Sequence, residues 1–199
     1  MEDQLLYMGF HWTPTEVSTL VLAIVTLVSV SAGEWYSHRV ARKEAVAAFI
    51  AEAQRNAKRL NTDIIALNEE RRQNGFLSTP FISLDSFALD RLPRPIPREL
   101  LARAPVPDDK ARQRQKKLAK RQFATDQLSS LGSSITAFNA AVRRHEALVG
   151  QPSAFAGLHT GLRQTASGAK FSLACVAEFL IPIEDGKEVH GWLEIQIAE

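Results

Sequence analysis

An uncharged and mostly apolar run of seventeen residues, from Val17 to Gly33, lies near the start of the chain. The hydrocarbon core of a bilayer is about 30 Å thick and takes roughly 20 helical residues to cross, so flanking residues must lengthen the helix. Thr13 and Glu16 supply a capping box ahead of the run, with a proline in the first helical turn. Trp12 and Trp35 lie on either side of it, and such rings favour the headgroup level. We therefore predict one transmembrane helix.

The charges on the two sides of this run are asymmetric. Every Lys and Arg of the chain follows it, beginning at Arg39, whereas the N-terminal flank carries only acidic charges. The positive-inside rule then places residues 1–12 outside the cell, the helix 13–36 in the plasma (inner) membrane and the remainder in the cytoplasm. The alternative is a cleaved signal peptide, with Val30 and Ala32 as the small residues before the cut. Its leader would lack the usual basic segment.

One face of the predicted span carries small and hydroxylated side chains. These are Thr19, Ala23, Thr26, Ser29 and Gly33. Small residues at helical spacing let two helices approach closely, and hydroxyls can bond across the contact. We expect this face to support homo-oligomer formation. The alternative is that the hydroxyls bond to carbonyls of their own helix.

Composition sets broad limits on the class of protein. The formal net charge of +2 is close to neutral, so charge alone does not indicate a nucleic-acid-binding protein. Arg outnumbers Lys and Ala is abundant, which is typical of a GC-rich bacterial genome. Cys175 is the only cysteine, so no intramolecular disulfide can form, as expected in a reducing cytoplasm.

Two long apolar seams indicate a mainly α fold after the span. The first helix should end near Asn74-Gly75 and carries apolar residues four and three apart: Val46, Ile50, Ala53, Ala57, Leu60, Ile64 and Leu67. The second should run from Asp108 or Asp109 to Gly150, with a matching seam: Ala124, Leu128, Leu131, Ile135, Phe138, Val142, His145 and Val149. Such heptad spacing is typical of coiled-coil-like packing. We predict an antiparallel helical hairpin over residues 37–150, joined by a proline-rich connector over 75–107.

The C-terminal segment, residues 151–199, has an ambiguous pattern. Apolar residues alternate with others on both sides of a glycine-containing turn, which favours a β-hairpin over residues 170–198. The alternative is a third helix over 158–181, whose apolar residues would be Leu158, Leu162, Ala169, Val176 and Leu180. An isolated hairpin is marginally stable, so either element must pack on the helices or on a partner.

The densest charged segment begins the second predicted helix and holds seven basic residues and no acidic one. These are Lys110, Arg112, Arg114, Lys116, Lys117, Lys120 and Arg121. Such a run can bind phosphates of nucleic acid, anionic lipid or an acidic protein partner, or it can form a solvated helix face. The hairpin would place this end far from the bilayer, which disfavours lipid. No aromatic residues interleave with the charges for base stacking, which disfavours nucleic acid.

Residue patterns typical of enzymes are weak throughout the chain. The five histidines are isolated, with no spacing suited to a metal ion. The stretch 161–170 differs from a phosphate-binding loop in spacing and in the residue after its lysine. We therefore expect no catalytic residues, metal, cofactor or small-molecule substrate. The sequence favours a single-pass membrane protein with a cytoplasmic helical docking or oligomerisation module, and the alternative is a membrane-tethered nucleic-acid-binding protein that uses residues 110–121.

Overall fold

The computed structural model describes residues 13–72, 81–105, 113–148 and 155–181. Over these ranges the chain is mainly helical and contains no strand, which confirms the prediction of a mainly α protein. The elements are α1 (Pro14–Arg72), α2 (Phe87–Asp90), a 3-10 helix (Arg98–Leu101), α3 (Gln113–Leu148) and α4 (Phe155–Phe179). The chain divides after Lys43 into two compact units. We call the second of them, from Glu44 onward, the helical domain.

The first unit is the N-terminal part of α1. The predicted capping box is present: the backbone N–H of Thr13 donates to Oε2 of Glu16 at 2.7 Å, and the N–H of Glu16 faces Oγ1 of Thr13 at 3.4 Å. The helix is long and apolar enough to cross a membrane, and none of its most apolar 18-residue window is buried. Leu22 and Leu27 are each about 70% exposed. The segment 1–12 lies outside the described residues.

Both predicted seams form the core of the helical domain. In α1, Val46, Leu60 and Leu67 are buried together with the two seam alanines, while Ile50 and Ile64 are partly buried. Every seam residue of α3 from Ala124 to His145 is buried. Helix-period spacing therefore identified the buried faces of these helices correctly. The predicted helix ends near 74–75, 108–109 and 149–150 lie outside the described residues.

The connector returns along α1 and is held there by polar side chains. Glu52 accepts hydrogen bonds from the backbone N–H groups of Ala88 and Leu89, at 2.7 and 3.2 Å. Asn56 pairs with both backbone groups of Asp85, at 2.7 and 3.0 Å. Farther along α1, Arg59 forms an ion pair with the Asp85 carboxylate at 2.9 Å. Residue numbers rise in α1 as they fall in the connector, so the two segments are antiparallel.

The connector is also antiparallel to α3. Asn139 pairs with both backbone groups of Leu84, at 2.7 and 2.8 Å. Leu89 lies beside Gly132, where an added Cβ would stand 3.6 Å from its Cδ2 atom. Nearer the start of α3, Lys120 donates to the carbonyl of Leu101 at 3.4 Å. Two segments that are both antiparallel to the connector run in the same direction as each other.

The predicted antiparallel hairpin of the first two long helices over residues 37–150 is therefore wrong, because α1 and α3 are parallel. A heptad seam specifies which face of a helix is buried but not the direction of its neighbour. The connector is long enough to return the chain to the level where α1 enters the domain. Asn56 bonds to the backbone of Asp85, and Asn139 bonds to the backbone of Leu84. Burying these backbone groups without partners would be costly.

The antiparallel helix pair of the domain is α3 with α4. Ser172 bonds to Ser134 at 2.9 Å, and the rings of Phe123 and Phe179 meet edge to face with centroids 5.6 Å apart. Residues 170–179 are helical, so the predicted first strand of the β-hairpin 170–198 is wrong, and the alternative third helix describes this stretch. The rest of that hairpin, residues 182–198, lies outside the described residues. Leu162, Ala169, Val176 and Leu180 are buried as the helical alternative requires.

Candidate functional site

The basic run is partly described and largely accessible. Arg114 and Lys117 are exposed, whereas Lys116, Lys120 and Arg121 are partly covered. Lys110 and Arg112 lie outside the described residues. An apolar side chain stands among these charges: Leu118 is 64% exposed. The surface therefore combines positive charge with an accessible leucine.

The parallel direction of α1 and α3 moves this basic run to the opposite end of the domain from that predicted. The backbone N–H of Leu89 donates to Glu52, and the Leu89 side chain lies beside Gly132. These contacts place Glu52 of α1 and Gly132 of α3 at the same level. Residues of α3 that precede Gly132 lie beyond this level, toward the first residues of the helical domain at Glu44. The basic run thus lies at the end where α1 enters the domain.

A cleft of about 550 Å³ opens beside this run, between the connector and α3. The connector contributes residues 89–90 and 92–96 to its wall, among them Asp90, Arg94 and the prolines on either side of that arginine. The opposite wall is formed by one face of α3, with Arg121 at one end and Gly132 at the other. The lining is thus mixed: it combines apolar residues and prolines with two arginines and one aspartate.

The charged groups of the cleft are unequally satisfied. Asp90 accepts a hydrogen bond from the Ser86 hydroxyl at 3.1 Å. The Nε atom of Arg121 is buried and has no hydrogen-bond partner in the part of the chain that the structure describes. The described ion pair of the domain, Arg59 with Asp85, involves neither cleft arginine.

Sequence reasoning singled out Arg121 but missed Arg94. The available signal was the spacing of arginines among the connector prolines, at positions 91, 94, 98 and 103. The proline density of that segment excludes a continuous helix and predicts a folded connector, without indicating a binding surface. The structure shows that it is one wall of the cleft.

The hydroxyls of the predicted self-association face are bonded within their own helix. Thr19, Thr26 and Ser29 each donate to a carbonyl four residues earlier, at 2.8 Å in every case. These hydroxyl oxygens can still accept a bond from a neighbouring helix. Ala23 and Gly33 are exposed on the same helix. Self-association through this face therefore stays a prediction.

Two buried polar groups lie at the far end of the domain core. Asp63 is 5% exposed and one of its carboxylate oxygens has no hydrogen-bond partner among the described residues. Burial raises the pKa of Asp63 from 3.8 to about 6, against the opposing effects of the Ile82 backbone N–H and the Arg59 charge. His145 is buried edge-on to Phe81, with ring centroids 5.1 Å apart, and its Nδ1 atom is likewise without a described partner.

Cys175 lies partly buried in α4. Burial raises the pKa of its thiol, and the negative charge of Glu178 raises it further. Both effects disfavour the thiolate that a nucleophile or metal ligand requires. Across the described ranges, no group of three or more His, Cys, Asp or Glu side chains is arranged to hold a metal ion.

Comparison with known proteins adds no relative. The chain matches no family model, and no curated protein or solved structure is significantly similar to it. Its function must therefore be inferred from its own residues.

Proposed function

We propose that this chain is a single-pass membrane protein that holds a helical interaction domain at the cytoplasmic surface of the membrane. The observation that carries the proposal is the complete exposure of the apolar segment of α1. A soluble protein buries such a helix, because leaving apolar surface in water costs about 25 cal/mol per Å². A lipid environment removes that cost.

Retention of the segment, rather than cleavage as a signal peptide, is the second part of the proposal. The helix continues without interruption through Val30 and Ala32 to Arg72, whereas a signal peptide ends in a cleavable small-residue motif. The basic residues after the span, beginning with Arg39, support a cytoplasmic domain. We expect the intact chain to remain in the membrane pellet after alkaline carbonate extraction. A mature protein that lacks the first thirty or so residues by intact mass would contradict anchoring.

The interaction role is the third part of the proposal. It is supported by a domain whose described polar groups serve mainly to hold its own backbone, as Glu52, Asn56 and Asn139 do. Isolation of the full chain in mild detergent, with and without nuclease, tests it. A protein partner that is retained after nuclease treatment supports a docking module. Partners lost with nuclease would instead favour the nucleic-acid alternative for residues 110–121.

A further inference from the structure

We infer that the cleft between the connector and α3, together with the basic residues 114–121 beside it, binds the phosphate headgroups of anionic lipids. The inference rests on the proposed membrane anchoring, because the anchor supplies the lipid surface. It goes beyond anchoring in assigning a specific site to the helical domain. Its central residues are Arg94 and Arg121, one on each wall of the cleft.

The first reason is the unsatisfied charge in the cleft. Arg94 and Arg121 both line the cleft of about 550 Å³, and neither takes part in the ion pair that the structure describes in the domain. The carboxylate in the same wall, Asp90, is hydrogen bonded to Ser86. Guanidinium groups bind phosphate oxygens with paired N–H donors, and such charge-assisted bonds are among the stronger ones in proteins. The cleft is therefore suited to a phosphate with an attached organic group.

The second reason is the composition of the surrounding surface. Arg114, Lys116 and Lys117 lie one to two turns before Arg121 on α3, and Leu118 projects among them with 64% exposure. A basic surface with an accessible leucine suits the interface of a bilayer, where the charges contact headgroups and the apolar side chain enters the acyl boundary. Basic residues near an anionic leaflet are attracted by its negative surface potential.

The third reason is the level of the cleft in the domain. The parallel arrangement of α1 and α3 puts the described basic residues at the end of α3 that lies toward the first residues of the helical domain, from Glu44 onward. The only geometric objection to lipid, a basic run at the remote end of an antiparallel hairpin, is thereby removed. Nucleic acid lacks comparable support, since no aromatic residue interleaves with the charges for base stacking.

The test uses the full chain in a neutral detergent and calorimetric titration with short-chain phosphatidylglycerol or short-chain phosphatidylcholine. The two lipids partition into micelles similarly but differ in headgroup charge. The difference between their binding affinities therefore measures the contribution of the headgroup site. We expect phosphatidylglycerol to bind at least about tenfold more tightly, with the preference lost at high salt. The variant Arg94→Gln/Arg121→Gln should abolish the preference. The control Arg143→Gln/Arg144→Gln removes two exposed charges from the other end of α3 and should retain it.

Two further ligands separate the sources of the phosphate. Glycerol phosphate that binds as tightly as phosphatidylglycerol would overturn the lipid assignment in favour of a soluble phosphate ester. A single-stranded oligonucleotide that displaces the lipid at equal concentration would overturn it in favour of nucleic acid. Equal binding of phosphatidylglycerol and phosphatidylcholine would show that no headgroup site exists. An equal loss of the phosphatidylglycerol preference in Arg94→Gln/Arg121→Gln and Arg143→Gln/Arg144→Gln would show the same.

Folding and anchoring are controlled separately. Arg94 is exposed, so Arg94→Gln alone should melt as the unsubstituted chain does while it weakens the phosphatidylglycerol preference severalfold. A full preference in this single variant would contradict the cleft as the site. Carbonate extraction of Arg94→Gln/Arg121→Gln measures anchoring independently: pellet retention with loss of lipid preference supports the site. Release of the unsubstituted chain by carbonate would instead refute the anchor.

Discussion

Replacement of the buried Asp63 by asparagine should stabilise the helical domain at neutral pH. Asparagine has nearly the same shape, and its carbonyl oxygen can accept the bond from the Ile82 backbone, but it carries no charge to desolvate. The pKa of Asp63 is raised by burial from 3.8 to about 6. This is roughly two decades in the ionisation equilibrium at about 1.4 kcal/mol each, so the ionised carboxylate costs up to about 3 kcal/mol.

The sign of the pH dependence follows from the direction of the shift. The folded state binds the proton of Asp63 more tightly than the unfolded chain does, so stability from this group is fully present below about pH 4. It is lost as the pH rises through about 6. Asp63→Asn should therefore match the unsubstituted chain near pH 4 and exceed it by about 1 to 3 kcal/mol at pH 7.5.

Urea unfolding of the full chain in detergent, followed by circular dichroism at 222 nm, measures this difference. The exposed carboxylate of Asp126 provides the control, since Asp126→Asn removes the same charge and should change the free energy of unfolding by less than about 0.5 kcal/mol. A free energy for Asp63→Asn at pH 7.5 that is equal to or below that of the unsubstituted chain would refute the reasoning. It would mean that the carboxylate is stabilised by its surroundings rather than penalised by burial.

Three other substitutions test the packing by the same unfolding measurement. Asn139→Ala leaves both backbone groups of Leu84 without their partner and should cost about 2 to 4 kcal/mol; a cost below about 0.5 kcal/mol would show that the pairing is dispensable. Gly132→Ala adds a Cβ at an ordinary 3.6 Å contact with Leu89 and improves helix propensity, so it should stabilise by up to about 1 kcal/mol; destabilisation would indicate a tighter approach. Leu60→Asp buries a charge in the seam and should abolish the cooperative transition, and an unchanged curve would contradict the seam.

Hydrophobic periodicity predicted the long helices and their buried faces because it reports directly on which side of a helix leaves water. The seam from Ala124 to His145 is buried at every position that the pattern selected. Direction is a different matter. The same apolar spacing forms whether the neighbouring helix is parallel or antiparallel. The connector is long enough for both arrangements.

The polar row on α1 was the sequence signal that could have fixed the direction. Glu52, Asn56 and Asp63 lie beside the small residues Ala53 and Ala57, and all five are buried. Small apolar residues next to buried polar ones leave room for an extended segment whose backbone needs partners, rather than for another helix. The predicted hairpin places a second helix against this face instead.

The C-terminal error and the missed arginine have separate causes. Residues 171–181 alternate in polarity, yet the same residues place Leu173, Val176 and Leu180 on one helical face. Short apolar stretches satisfy both periods, so periodicity alone does not separate strand from helix. Arg94 belongs to a cleft formed by the tertiary fold, between segments that are about thirty residues apart in the chain.

The sidedness of the helical domain tests the central claim most directly. A single cysteine at exposed Ser133, introduced in a Cys175→Ala background, can be labelled with a membrane-impermeant maleimide in intact cells and in inverted membrane vesicles. The membrane-anchored account predicts labelling in inverted vesicles and protection in intact cells, with the label retained in the carbonate-washed pellet. Labelling in intact cells, or a labelled protein released into the soluble fraction, would contradict it.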